Sequence, residues 1–151
     1  MKQSLQSLLR ERVPRDEWVV VVVDSGAIPY FAGCRTLDFG GLNDEYIGRR
    51  FYNAHPEPDI IEYFYRFHAG AVVVTSARPD RIDGPEPTRV FEDPRFADYV
   101  QVACFGSPGY PNYYQLVYLR SDLARNAAGA AAASAAGDHA DDVVKDAAVG
   151  R

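Results

Sequence analysis

The chain opens with apolar residues at helical spacing: Leu5, Leu8, Leu9 and Val13 fall on one face, Ser4 can cap that helix and Pro14 ends it. Five consecutive valines follow, Val19 to Val23. A run that is apolar and β-branched at every position predicts a central strand covered on both faces. After Asp24 the chain turns through Ser25-Gly26, and Pro29 suits the first turn of a short helix from Ala27 to Phe31. Arg35 to Phe39 reads as a second short strand, broken by Gly40-Gly41. Asn43 or Asp44 can cap a helix through Tyr46, Ile47 and Phe51, and Asp59 can cap another with Ile60, Ile61, Phe64 and Phe67 as its apolar positions. Ala71 to Thr75 is the next apolar strand, so strand and helix alternate as in a parallel sheet.

The second half has a different rhythm. Arg78 to Pro87 is polar and proline-rich and reads as a loop, and a helical turn spans Asp93 to Tyr99. Val100 to Phe105 and Tyr113 to Arg120 flank a Gly-Ser-Pro-Gly-Tyr-Pro loop, and the second segment alternates with period two. They predict an antiparallel hairpin at the sheet's edge. The expected fold is a three-layer α/β domain over residues 1–123, its sheet mixed but mostly parallel with that C-terminal hairpin. From Ala124 to Arg151 Ala, Gly, Ser and Asp dominate and aromatics vanish, so this tail is expected to be disordered. There are no internal repeats.

Composition narrows the function classes. A length of 151 residues suits one domain, and a net charge of −5 argues against non-specific nucleic-acid binding, which needs a basic face. No stretch approaches the length of a membrane span, and the first residues lack a signal-peptide pattern. Expressed as it stands, the chain is expected in the cytoplasm. Cys34 and Cys104 allow one disulfide at most and read more simply as two buried thiols.

Asp24 and Asp38 are the leading candidates for chemistry. A carboxylate at the carboxyl end of a strand can accept hydrogen bonds from sugar or ribose hydroxyls. It can equally bond the amides of its own turn and fix a loop, and that plainer role is the one expected. A Gly-x-Gly-x-x-Gly spacing is absent, and Ser25 lacks the flanking glycines of a nucleophile elbow. His55, His68 and His139 share no metal spacing, and Asp138-His139-Asp141-Asp142 reads as a solvated polar run. No metal or cofactor is expected. Tyr63, Phe64, Tyr65 and Phe67 occupy several faces of one helix, while Tyr110, Tyr113 and Tyr114 crowd a Pro/Gly loop. These rings could meet a sugar or a membrane interface, or could simply pack.

The segment Asp24-Ser25-Gly26-Ala27-Ile28-Pro29-Tyr30, with Asp38 and then Gly41-Leu42-Asn43-Asp44, resembles the soluble C-terminal domain of polytopic bacterial membrane glycosyltransferases. Those enzymes use polyprenyl-phosphate sugars and include mannosyl- and arabinosyltransferases. In that family a strand ends in Asp before Gly-Ala-(Ile)-Pro-Tyr, and a short strand ends in Asp before Gly-Leu-Asn/Thr-Asp. Asp93-Pro94-Arg95-Phe96 and Tyr118-Leu119-Arg120-Ser121-Asp122-Leu123 are also similar, so the likeness spans roughly residues 5 to 123. It implies an extracytoplasmic accessory domain whose partner is a membrane-embedded transferase portion, with a glycan or lipid-linked sugar within reach. The family's catalytic acid lies in that membrane portion, which has no counterpart here. The likeness therefore assigns no catalytic residue, and the chain alone is expected to be inactive. Its candidate ligand or loop-shaping residues are Asp24, Gly26, Tyr30, Asp38, Gly41, Asn43 and Asp44. A free-standing module that binds a nucleotide or sugar, and a structural domain docking through Tyr110, Tyr113 and Tyr114, are the alternatives.

Overall fold

The computed structural model describes residues 4–22, 26, 28, 32–52, 60–83 and 88–126. Helix α1 (Leu5–Arg12) starts at a capping box: the Ser4 hydroxyl accepts the Ser7 amide, and the Ser7 hydroxyl accepts the Ser4 amide. Strand β1 (Trp18–Val22) follows, then β2 (Arg35–Asp38), α2 (Glu45–Tyr52), α3 (Ile60–Arg66) and β3 (Ala71–Ser76). Helix α4 (Thr88–Glu92) and a 3-10 turn (Pro94–Asp98) lead into β4 (Tyr99–Gly106) and β5 (Tyr114–Arg120). Residues 121–126 are helical. The short helix expected over 27–31, the cap at Asp59 and the tail beyond 126 lie outside the described residues.

The five strands form one sheet in the order β2-β1-β3-β5-β4. β1 runs parallel to β2 and β3, whereas β5 runs antiparallel to β3 and β4. The sheet is thus mixed and evenly divided, not mostly parallel as expected. The reason is that the last strand enters between β3 and the hairpin's outer strand, which reverses the direction of half the ladder.

Alternate residues of β1 feed two separate cores. Val20 and Val22 pack with Leu37, Val72, Val74, Leu116 and Tyr118 under Ile47 of α2, Phe64 and Tyr65 of α3, and Val90 of α4. Val19 and Val21 pack with Ala71, Val73, Val117 and Leu119 under Leu5, Leu8 and Leu9 of α1 and Val13. Val19 to Val22 are therefore buried on both faces, as the uniform composition of the run predicts. The aromatic residues of α3 are spent on packing. Phe64 meets Phe39, Tyr65 and Phe91 edge-on, Phe67 meets Trp18, and Tyr63 stacks on Tyr46.

Among the described residues, no helix is long and apolar enough to cross a membrane. Both cysteines are free thiols. Cys104 is exposed, contrary to the buried thiol expected, because it lies on the outermost strand. Removing the side chain of Phe64, which is fully buried where four rings meet, should destabilise the fold by about 3–5 kcal/mol in Phe64→Ala. Chemical denaturation measures this directly.

Candidate functional site

The loop after β2 is built around one carboxylate. Asp38 is only 2 % exposed, yet all its bonding is local. Its Oδ1 accepts the Gly40 amide at 2.9 Å, and its Oδ2 accepts the Asn43 amide at 2.9 Å and the Asn43 Nδ2 at 3.3 Å. Its carbonyl accepts the Gly41 amide at 3.0 Å. This is an Asx-type turn extended over six residues. Gly41 has φ +79°, a left-handed conformation that suits glycine, and its carbonyl lies where a Cβ on Gly48 would sit, 2.7 Å away. The loop is thereby folded down against the first turns of α2.

Asp44 then starts α2. Its Oδ1 accepts the Ile47 amide at 2.9 Å, the bond of an N-cap. The Tyr63 hydroxyl donates to the same carboxylate at 3.0 and 3.2 Å, tying α2 to α3. Burial, and then the Asp44 carboxylate, push the Tyr63 phenol well above its usual range, so this donor stays protonated. With Asp38 and Asp44 engaged inside the protein, the apex is left to Leu42, which is 80 % exposed. A shallow depression of about 410 Å³ beside it is lined by Gly41, Leu42, Asn43, Asp44 and the first half of α2.

The structure brings Asp38, Gly41, Asn43 and Asp44 together as one unit. Gly26 is an exposed turn residue with φ +37°, whereas Asp24 and Tyr30 lie outside the described residues. Beside the opposite edge strand, at the same end of the sheet, Tyr110 is 71 % exposed and tilts against Tyr113 at 6.4 Å. Tyr114 is half-buried against the core and fills the space beside Gly106.

Ser76, the other buried polar residue among the described residues, ends β3 in the way Asp38 ends β2. Its hydroxyl donates to the Arg81 carbonyl at 2.8 Å and accepts the Asp83 and Arg78 amides at 3.0 and 3.1 Å. Sequence reasoning missed this residue, since a serine at a strand end carries no distinctive signal. Both polar strand ends hold their own loops.

A larger cleft of about 570 Å³ opens at the opposite, amino-terminal edge of the parallel strands, lined by Glu62, Tyr65, Arg66, His68, Arg95, Asp98, Tyr99 and Arg120. Its charges are largely paired. The Arg120 guanidinium places Nε and both terminal nitrogens on Glu17, Asp122 and the His68 carbonyl. All five of its N–H groups are occupied by these contacts. Arg95 lies over the Tyr65 ring at 4.3 Å and bonds Asp93 and Glu62. These pairs hold the Asp93 carboxyl down at about 2 and draw the Asp122 carboxyl below its usual range, the hydrogen bond from arginine being the main cause in each. Burial pushes the Tyr99 phenol up to about 12, and its hydroxyl donates to the Ala69 carbonyl at 2.8 Å. Two of the partners of Arg120, Glu17 and the His68 carbonyl, are distant in sequence, and no motif announces them.

Among the described residues, no three His, Cys, Asp or Glu side chains come together as a metal would need. The family described as a domain of unknown function, DUF8728, matches residues 1–140, and the chain belongs to it. No curated protein and no solved structure matches the chain significantly.

Replacing Asp38 by Asn keeps the shape but turns an amide donor toward backbone amides that need an acceptor. Asp38→Asn should cost about 1–3 kcal/mol of stability in a denaturant titration. The acid limb of stability has a defined sign. The folded carboxyl of Asp122 sits below its unfolded value, so its contribution is complete above about pH 4 and is lost as pH falls toward the folded value. Melting temperatures measured from pH 6 to pH 2 should fall less steeply for Asp122→Asn than for the parent chain.

Proposed function

We propose that this chain is a non-catalytic α/β domain that serves a membrane-embedded glycosyltransferase drawing on lipid-linked sugars, and that it works on the extracytoplasmic face of the membrane. The observation that carries this reading is the Asp38–Asp44 loop. Of the residues that resemble the transferase domain, Asp38, Asn43 and Asp44 have polar groups that are consumed in building that loop. Their product is a fixed rim with Leu42 at its apex, which suits contact with another protein surface better than turnover. The finer description of the fold, a helix layer on each face of the sheet, belongs to the same proposal. Its support is the pair of apolar clusters drawn from alternate strand residues.

A small-ligand module built on Asp38 is less favoured. The Asp38 carboxylate is 2 % exposed and already accepts three N–H groups of its own loop, so a ligand hydroxyl would reach it only by opening that loop.

Antiserum raised against the chain, applied to fractionated cells of the source, tests the proposal. The protein should sediment with membranes and be cleaved by protease added outside the inner membrane, and purified chain should transfer no sugar from a polyprenyl-phosphate donor. Recovery only in the soluble cytoplasm, or transfer by the purified chain, would overturn the reading.

A further inference from the structure

The cleft at the amino-terminal edge of the parallel strands has fixed walls and open polar groups. Its volume of about 570 Å³ lies within the roughly 300–1,000 Å³ of small-ligand sites. The walls are pinned from behind. Arg120 is held by Glu17, Asp122 and the His68 carbonyl, and Arg95 by Asp93, Glu62 and the Tyr65 ring. The phenols of Tyr65 and Tyr99 donate to the carbonyls of Val90 and Ala69, at 2.7 and 2.8 Å. Their hydroxyls are engaged inside the protein, and what they give the cleft is ring surface. Three further lining side chains, Arg66, His68 and Asp98, are exposed and make no hydrogen bond or ion pair among the described residues. His68 also departs from what its backbone prefers. Its φ is +44°, a left-handed conformation that glycine adopts without strain. That conformation is held from both sides: the His68 amide donates to the Tyr65 carbonyl at 3.1 Å, and its carbonyl accepts from Arg120. What histidine adds over glycine here is an imidazole at the cleft, with a donor and an acceptor on one ring.

We infer that this cleft is a carbohydrate site, in which Arg66, His68 and Asp98 hold the hydroxyls of a neutral sugar and the rings of Tyr65 and Tyr99 meet its C–H faces. Charge and hydrogen-bonding capacity select the ligand. Arg95 faces Glu62 and Asp93, and Arg120 faces Glu17 and Asp122, while Arg66 and Asp98 balance each other. A phosphate or other anion entering the cleft therefore meets more negative charge than positive. A cation meets the Arg66 guanidinium and finds the Tyr65 face already covered by Arg95. A neutral sugar carries no charge, and each of its hydroxyls both donates and accepts. It can accept from Arg66, donate to Asp98 and do either with His68. Apolar ring surface beside a few convergent polar groups is the general form of a small-molecule site. The cleft is separate from the Asp38–Asp44 loop, so this assignment does not depend on where the protein works.

Nuclear magnetic resonance titration of the full chain tests this, with the methyl glycosides of glucose, galactose, mannose and arabinose as probes and glycerol as the control polyol. At least one glycoside should shift the amides of residues 66–69 and 98–99 saturably, with a dissociation constant in the millimolar range. Arg66→Ala and Asp98→Asn should each weaken that binding by about tenfold or more. His68→Gly should weaken it to a similar degree with the fold intact, because glycine suits the backbone at that position. No saturable shift with any of the four glycosides, or shifts matched by glycerol, would overturn the inference. So would tighter binding of inorganic phosphate or of alanine at the same amides, or sugar binding indifferent to all three variants.

Discussion

The constraint on which the architecture rests is the burial of β1 on both faces. Val19, Val20, Val21 and Val22 are all within 1 % of complete burial, so neither side of this strand can face water. One face requires α1, the other requires α2 and α3, and strands must flank it to satisfy its backbone groups. The crossover from β2 to β3 through α2 and α3 brings β3 back parallel to β1 and β2. Everything distinctive about the domain lies where the strands stop. There the polar backbone emerges from the apolar interior and must find partners.

Each end of the sheet meets that demand differently. At the carboxyl ends, single polar side chains do it locally: Asp38 holds residues 40–43, and Ser76 holds 78–83. At the amino ends, Arg120 does it over long range, linking the approach to β1, the approach to β3 and the exit from β5 through Glu17, the His68 carbonyl and Asp122. Local devices make loops of fixed shape that can present a residue such as Leu42. The long-range clamp fixes how the strands lie together. Function is proposed at the first kind of end because shape there is specified without dependence on the remainder of the surface.

Much of this was legible in the sequence. The valine run, the spacing of Leu5, Leu8 and Leu9, and the alternation from Tyr114 to Leu119 each encode an element through one dominant physical signal. Asp38 and Asp44 were also legible as turn-makers, because short carboxylates before glycine or at a helix start have few competing roles. The order of the last two strands was not legible. Period-two patterning shows which face a strand buries, not where it inserts, so the even balance of parallel and antiparallel pairs went unseen. The Arg120 cluster was equally hidden, since Glu17 and Arg120 are separated by 103 positions and only the closed sheet brings them together.

The central claim is that Asp38 holds its loop as firmly as the core holds the strands. Native-state hydrogen exchange of the Gly40 and Asn43 amides tests it most directly. If the claim is right, both amides exchange slowly, with protection approaching that of Val20 and Val73 and lost together with it in Asp38→Ala. Exchange of Gly40 and Asn43 near the rate of an unstructured peptide, in a chain whose strands remain protected, would contradict it.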